Sequence, residues 1–282
     1  MPEWFDETDA EDLIIRFAVE NVATRRRTAF QDLVIFDTAR FGRALALDGI
    51  VQLTEADEPY YHEMLVHVPL LAHGAARRVL VVGGGDGGAV REVLRHAVDE
   101  VVMVELDRQV TEACREHLPS VNAGAFEDPR LDLRFEDGVD YVARCERPFD
   151  VILIDSTDPL PGPGEVLFRE PFYRACHRIL APGGVLISQF GVPFLYPDAV
   201  RTAADGLARS FADASLYVVA VPVFVGGYMA FGWASDEPGL RALSEETLAE
   251  RLAASGLEPR VYTPAFHRAA FVLPRPIAEL LD

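Results

Sequence analysis

The chain has 282 residues, half of them apolar, which is enough for a hydrophobic core in one large domain or one with a small companion. Its formal charge is −19, and all 26 basic residues are arginine, because the sequence contains no lysine. This excludes a Schiff-base or pyridoxal-phosphate lysine and a phosphate-gripping P-loop lysine, and it makes nucleic acid and anionic membranes poor partners.

In chain order, the segments LIIRFAV, TAFQDLVIFDT and RALALDGIVQLT between residues 13 and 54 are rich in β-branched and aromatic residues. Asn21, Gly42 and Asp48-Gly49 interrupt them, and Asp-Gly between apolar strands predicts a hairpin. Residues 1–58 are therefore expected to form a small antiparallel β domain. Arg25, Arg26 and Arg27 read as a solvated hairpin rather than a binding patch. The segment EPYYHEMLVHVPLLAH places Tyr61, Met64, Leu65 and Val68 at helical spacing and leads into the main domain, 59–282.

From Arg77 the pattern becomes strand–helix alternation: RRVLVVGGG, EVVMVELD, LDLRFEDG, FDVILIDS and VLISQFG are five strands separated by helices. The helix FREPFYRACHRILAPGG is expected to close at Gly183-Gly184. FDVILIDS is apolar on both faces, as a central parallel strand should be. The expected class is α/β, a mostly parallel sheet with helices on both sides. Cys114, Cys145 and Cys176 are too scattered for a disulfide framework or a zinc site, and no metal is expected. The N-terminus lacks a signal-peptide pattern and Val218–Val225 is too short to span a bilayer, so a cytoplasmic protein is expected.

Ligands of an open parallel sheet bind beyond the carboxyl ends of its strands. Those ends carry Gly83-Gly84-Gly85-Asp86-Gly87-Gly88, Glu105-Leu106-Asp107, Asp137-Gly138, Asp155-Ser156-Thr157-Asp158 and Gln189. The first four thus bring a carboxylate to one rim. Gly83 and Gly85 allow close approach of a ligand, but Asp86 inside the turn opposes a pyrophosphate. Two like charges about 4 Å apart cost roughly 4 kcal/mol at an effective dielectric of 20. Glu105, 19 residues after Asp86, has the usual spacing for an acid that accepts from ribose hydroxyls. The ligand chemistry that fits is an adenosine with a cationic, phosphate-free 5′ substituent, such as an S-adenosyl sulfonium compound. Asp155 and Asp158 could hold an ammonium group and accept its proton, or initiate a turn before Pro159.

Taken in order, LALDGIVQLTEADEPYYHEMLVHVPLLAHG, VLVVGGGDGGAVREVLRH, MVELD, EDGVDYV, FDVILIDSTDPLPGPGEVLF and PAFHRAAFVLP resemble the polyamine aminopropyltransferases, among them the bacterial spermidine synthases. The resemblance runs from Trp4 nearly to the C-terminus. It implies a Rossmann-like, methyltransferase-type domain behind the N-terminal β domain, assembled as a homodimer or homotetramer. It also implies aminopropyl transfer from decarboxylated S-adenosylmethionine, a co-substrate and not a cofactor, to putrescine, giving spermidine and methylthioadenosine. Carried over by position, Gln31 and Glu105 would contact the nucleoside, Asp137 and Gly138 the adenine side, and Asp86 the donor's ammonium or the polyamine. His62 would bind the amine, Asp155 would accept the proton, and Asp158 and Pro163 would lie in a closing loop. His62 could instead be a packed interdomain histidine, Tyr60 or Tyr61 a pocket hydroxyl or a core residue, and Trp4 a cover or a pin for the tail. Gln189 belongs to the amine side of the same rim.

Two departures fall on the acceptor side. Pro222-Val223-Phe224 stands where the family often has Pro-Thr-Tyr, and PLPGPGE is one residue longer than its common form. A less polar pocket would suit cadaverine, agmatine or spermidine. A methyltransferase sharing the sheet is the other enzymatic alternative, and a silent polyamine-binding protein the non-enzymatic one.

Overall fold

The computed structural model describes residues 3–10, 13–158 and 164–281. Three sheets are built in chain order. Strands β1 (Glu3–Ala10) and β2 (Leu13–Val19) form an antiparallel pair. Next come β3 (Asn21–Arg27), β4 (Asp32–Thr38), β5 (Gly42–Leu47) and β6 (Ile50–Thr54), a four-stranded antiparallel meander. The Asp48-Gly49 hairpin forms as its sequence demands, with φ of 48° and 85° and Leu47 facing Ile50.

β1 was not among the expected strands. Half of EWFDETDA is acidic, and the pattern carries little β preference. Pairing decides it instead: Glu3 to Thr8 align with Val19 to Ile14, and Asp6 receives Arg16 at 2.7 Å. Trp4 stays half exposed with the Arg16 guanidinium 5.9 Å from its ring centre, and it is not among the residues lining the cavity described below. The arginine run lies on edge strand β3, where Arg27 meets Asp32 and Arg26 meets Glu116.

Helix α1 (Glu58–His73) follows, with proline in its first turn and Gly74 closing it in the left-handed region. It is buried on nearly every face, beyond the Tyr61–Val68 stripe, and so takes Glu58, His62, Glu63 and His67 inside. Each finds partners: Glu63, for example, accepts the backbone N–H groups of Arg260, Val261 and Tyr262 at 2.7–2.8 Å.

The main sheet is built from β7 (Arg78–Gly83), β8 (Glu100–Glu105), β9 (Leu131–Phe135), β10 (Phe149–Asp155), β11 (Leu180–Gly191), β12 (Asp213–Val219) and β13 (Met229–Ser235). Its order is β12-β13-β11-β10-β7-β8-β9, parallel from β11 to β9, with β13 antiparallel to both neighbours. Helices α2 (Gly88–Leu94), α3 (Arg108–His117), α4 (Pro119–Asn122), α5 (Gly138–Arg144), α6 (Glu170–Arg178), α7 (Pro197–Ala208), α8 (Glu245–Ser255) and α9 (Pro264–Ala270) complete it. This is the Rossmann-like, mostly parallel arrangement expected, with antiparallel β sheets ahead of it.

The central strands explain the two-sided core. Val151 and Leu153 of β10 enter one cluster with α1 and the N-terminal sheets, while Ile152 and Ile154 enter the other with α6 and α7. All four are fully buried. Full burial of an aliphatic side chain contributes about 1.5–3 kcal/mol, so these alternating runs anchor the strand whose tip carries Asp155. The helix expected to end at Gly183-Gly184 stops at Arg178 instead. Leu180 already pairs with Phe149, and the ladder shifts before Val185 meets Val151, so the glycines sit in an irregular strand entry. Among the described residues, no helix is long and apolar enough to cross a membrane.

Candidate active site

The crossover direction reverses between β7 and β10, where Gly83 and Asp155 are paired neighbours. Such a switch point opens a crevice beyond the strand ends, and here it holds a cavity of about 530 Å³. The glycine turn, Glu105, Asp137, Asp155 and Asp158 line it from the main sheet, Tyr61 and His62 from α1, and Gln31 and Glu7 from the N-terminal sheets. The carboxylates at the strand ends thus converge on one mouth. Pro163 lies outside the described residues.

Gly83, with φ 87°, lets the Gly84 N–H donate to the Asp155 carbonyl at 2.7 Å. A Cβ on Gly83 would stand 2.0 Å from that oxygen. Asp155 is 9% exposed and accepts the Tyr61 hydroxyl on Oδ1 at 2.7 Å. Its Oδ2 is buried with no hydrogen-bond partner among the described residues. Burial, then the charge of Asp86, pushes its carboxyl up to about 6, against the relief given by His62 and Tyr61. The Asp155 carboxylate thus lines the cavity with one oxygen satisfied and the other without a partner among the described residues.

Asp86 accepts the Gly88 N–H at 2.7 Å and lies 3.3 Å from His62 Nε2. Burial alone would raise its carboxyl, but His62 outweighs this and holds it below the usual range. His62 is 2% exposed and faces Glu58 at 2.7 Å through Nδ1. Burial opposes its charge, yet Asp86 and Glu58 together raise it to about 10. His62, Asp86 and Asp155 bring their reactive atoms within 4.8 Å of one another. Both imidazole nitrogens face carboxylates, Glu58 on one side and Asp86 on the other. Asp86 and Asp155 remain, a pair suited to a cation.

At the nucleoside end, Glu105 is pushed up to about 7 by burial, although it accepts the Asp107 N–H at 2.7 Å. Asp107 caps α3 through Gln109 N and takes the Gln31 side-chain amide at 3.2 Å, linking the N-terminal sheet to this end. Gly85 has no room for a side chain beside Glu105 Oε2. Asp137 caps α5 by accepting Val139 N at 2.7 Å, and Gly138 fits closely against Val82. At the other end Asp158 lies against Gly191, and Val221, Val223, Phe224 and Val225 form an apolar wall.

Three side chains expected on the amine side line the cavity and already have partners within the protein. Gln189 gives its amide to Ser156 O and accepts Gly191 N, bracing the turn after β10. The hydroxyl of Tyr61 donates to Asp155, and His62 lies between Glu58 and Asp86. The sequence places Asp107 at a strand end without giving it a role, and it gives none to Glu58 and Arg91, although both lie in the segments that carry the resemblance. It also gives none to Asp57, whose carboxylate accepts Val223 N at 2.6 Å and holds the apolar wall in place.

A kinetic consequence follows from Asp155. In the role of base proposed below it would have to be ionised, so kcat/KM should fall as pH drops through about 6, the value its burial and Asp86 impose. A pH–rate profile whose acid limb lies near 4, where a free aspartate titrates at about 3.9, would show that burial does not tune this group.

A parallel sheet with a carboxylate-lined crevice at its switch point is the arrangement in which open α/β enzymes bind their ligands. Comparison with known proteins narrows this. The spermine/spermidine synthase domain matches residues 58–243, and the spermidine synthase tetramerisation domain matches residues 3–55. The chain belongs to the spermine/spermidine synthase family, the polyamine aminopropyltransferases. It is 52% identical over 267 residues to polyamine aminopropyltransferase 1 of Pseudomonas aeruginosa, covering 94% of this chain and 93% of that one. It is 50% identical to the polyamine aminopropyltransferase of Pseudomonas syringae pv. tomato, covering 99% and 97%. Among solved structures, a spermidine synthase in complex with the transition-state analogue AdoDATO superposes with a TM-score of 0.94 at 33% identity, covering 100% of this chain and 96% of that one. The spermidine synthase of Thermotoga maritima gives a TM-score of 0.91 at 31% identity, covering 100% and 95%.

Proposed function

We propose that the enzyme moves the aminopropyl group of decarboxylated S-adenosylmethionine to putrescine, forming spermidine and methylthioadenosine. The observation that carries this is the buried Asp155 Oδ2, unpartnered among the described residues and next to the anionic Asp86. The donor carries two positive charges, a sulfonium and an ammonium, and no carboxylate, which matches a mouth of carboxylates. Glu105 and the Gln31–Asp107 link would hold the ribose, Asp137 and Gly138 the adenine side, and Asp86 the donor's ammonium.

The amine nitrogen attacks the methylene beside sulfur with its lone pair. The C–S bond breaks and its electrons neutralise the sulfonium, leaving a thioether. The proton lost by the amine passes to Asp155. An alkyl ammonium near pKa ~10 and a carboxyl near ~4 would be mismatched partners. Here Asp155 sits at about 6, and the neighbouring sulfonium depresses the ammonium. In-line placement of nitrogen against carbon supplies the remaining acceleration. The leaving thioether is neutral, so the step as written uses no cofactor.

The test is product analysis with the decarboxylated donor and a panel of amines. Methylthioadenosine and spermidine should appear with putrescine. Methyl transfer from S-adenosylmethionine, with no methylthioadenosine, would overturn the proposal. A second reading is favoured by the Val221–Val225 wall: cadaverine, agmatine or spermidine as acceptor, which faster initial rates with one of them would establish. The assembly we propose is a homodimer or homotetramer in the cytoplasm, supported by the match of residues 3–55 to a tetramerisation domain.

Asp86 should also govern donor choice. The carboxylate of S-adenosylmethionine would be repelled there by a few kcal/mol. Asp86→Asn is expected to narrow the preference for the decarboxylated donor by at least about tenfold. Competition binding measures this, and an unchanged ratio would place donor selection elsewhere.

A further inference from the structure

His62 occupies an unusual position between two carboxylates, Glu58 on Nδ1 at 2.7 Å and Asp86 on Nε2 at 3.3 Å. A neutral imidazole donates from one nitrogen only, so of the ring's forms the doubly protonated one suits a carboxylate at each nitrogen. Glu58 lies one helical turn before His62 on α1 and is 4% exposed. Arg91 of α2 grips both of its oxygens, at 3.0 and 2.8 Å, and is itself anchored to Val121 O and Glu92. Gly88 makes room for the ring, since a Cβ there would lie 2.3 Å from His62 Cε1. The result is an ordered ionic series, Arg91–Glu58–His62–Asp86, that ends beside Asp155.

We propose that Glu58, clamped by Arg91, is a positioning residue that keeps His62 an imidazolium, and that this cation decides which neighbouring carboxylate is a fixed anion and which is the base. The proposal rests on the reading of Asp155 as proton acceptor. Two carboxylates this close cannot both ionise freely, and whichever receives the cation becomes the anion. His62 lies against Asp86, whereas among the described residues Asp155 receives the neutral Tyr61 hydroxyl and no other side-chain donor. The separation of the two acids agrees: Asp86 is held below the usual carboxylate range and Asp155 is raised to about 6. The groups that face His62 are Glu58 and Tyr61 from α1, Asp86 from the glycine turn, Asp155 from β10, and Arg91 from α2 through Glu58. An imidazolium has no acceptor for an amine N–H, so His62 acts on the reaction through Asp86 and Asp155 rather than by touching the amine.

Nitrogen NMR of histidine side chains in the intact enzyme tests the first half, with the His62 signal identified by its loss in His62→Gln. Both ring nitrogens should be protonated at pH 8, and in Glu58→Gln the ring should titrate at lower pH than in the parent. A neutral ring at pH 7 in the parent overturns the proposal, and that spectrum needs no variant. The second half is read from pH–rate profiles. His62→Gln should raise the acid limb of kcat/KM by about one to three pH units, the usual effect of removing an opposite charge at this range. A folded His62→Gln enzyme with lower kcat but an unmoved limb has lost only packing, and that result also overturns the proposal. If the parent forms no methylthioadenosine with any amine, the aminopropyl assignment falls while the NMR result still judges the charge on His62.

Discussion

Asp155→Asn is expected to reduce kcat by at least about 10²-fold, the lower end of what a positioned general base contributes. The substitution keeps shape and removes the proton acceptor. Asparagine can still receive the Tyr61 hydroxyl that now meets Oδ1 at 2.7 Å, so the packing of α1 on β10 should survive. Donor affinity should change far less, because Asp86 and Glu105 supply separate contacts at the same mouth. Single-turnover kinetics with calorimetry on the donor separates the two quantities. Turnover near the parent level would remove Asp155 from its assigned role, and equal loss of binding and turnover would make it a donor ligand.

Gly83→Ala should be nearly as damaging, although the residue has no side chain to lose. Its φ is 87°, and an added Cβ would stand 2.0 Å from the Asp155 carbonyl oxygen, a backbone atom that cannot rotate away. The left-handed conformation alone costs an alanine roughly 1–2 kcal/mol. The contact is worse, because relieving it moves the end of β10 and the base with it. A misplacement of about 1 Å can cost ~10²-fold in rate, and a loss of that order is expected here. Gly183→Ala is the control: its φ is 77° but a Cβ there meets nothing within 4 Å. That variant should lose stability by the conformational cost alone and keep its turnover. Similar kinetics for both variants would show that backbone strain, not the approach to Asp155, sets the requirement at Gly83.

Much of the fold was legible because its signals are local. The apolar run of β10, the glycine turn after β7, the Asp48-Gly49 hairpin and the α1 segment each announce themselves within a few residues. β1 did not, because its acidic sequence becomes a strand only through pairing with β2. The end of α6 was misplaced for a similar reason: Gly183-Gly184 has the chemistry of a helix cap, but the pairing of Leu180 with Phe149 draws the chain into the sheet earlier. In the site, the ring of acids followed from strand-end positions, since parallel topology sends all those ends to one side. Glu58 and Arg91 were invisible, being 33 residues apart and ordinary helix residues until α1 and α2 pack together.

The sequence by itself determined the sheet class and the absence of lysine chemistry, because periodicity and composition are properties of the chain alone. Only the tertiary structure decided what each polar atom does. Tyr61, His62 and Gln189 carry groups that could bind an amine, and packing gives each a partner inside the protein as well: Asp155, Asp86 and the backbone of the turn after β10. A hydrogen-bonding group takes the partner that folding brings within 3 Å or so, and in a buried site that choice also fixes which acid holds its charge and which gives it up.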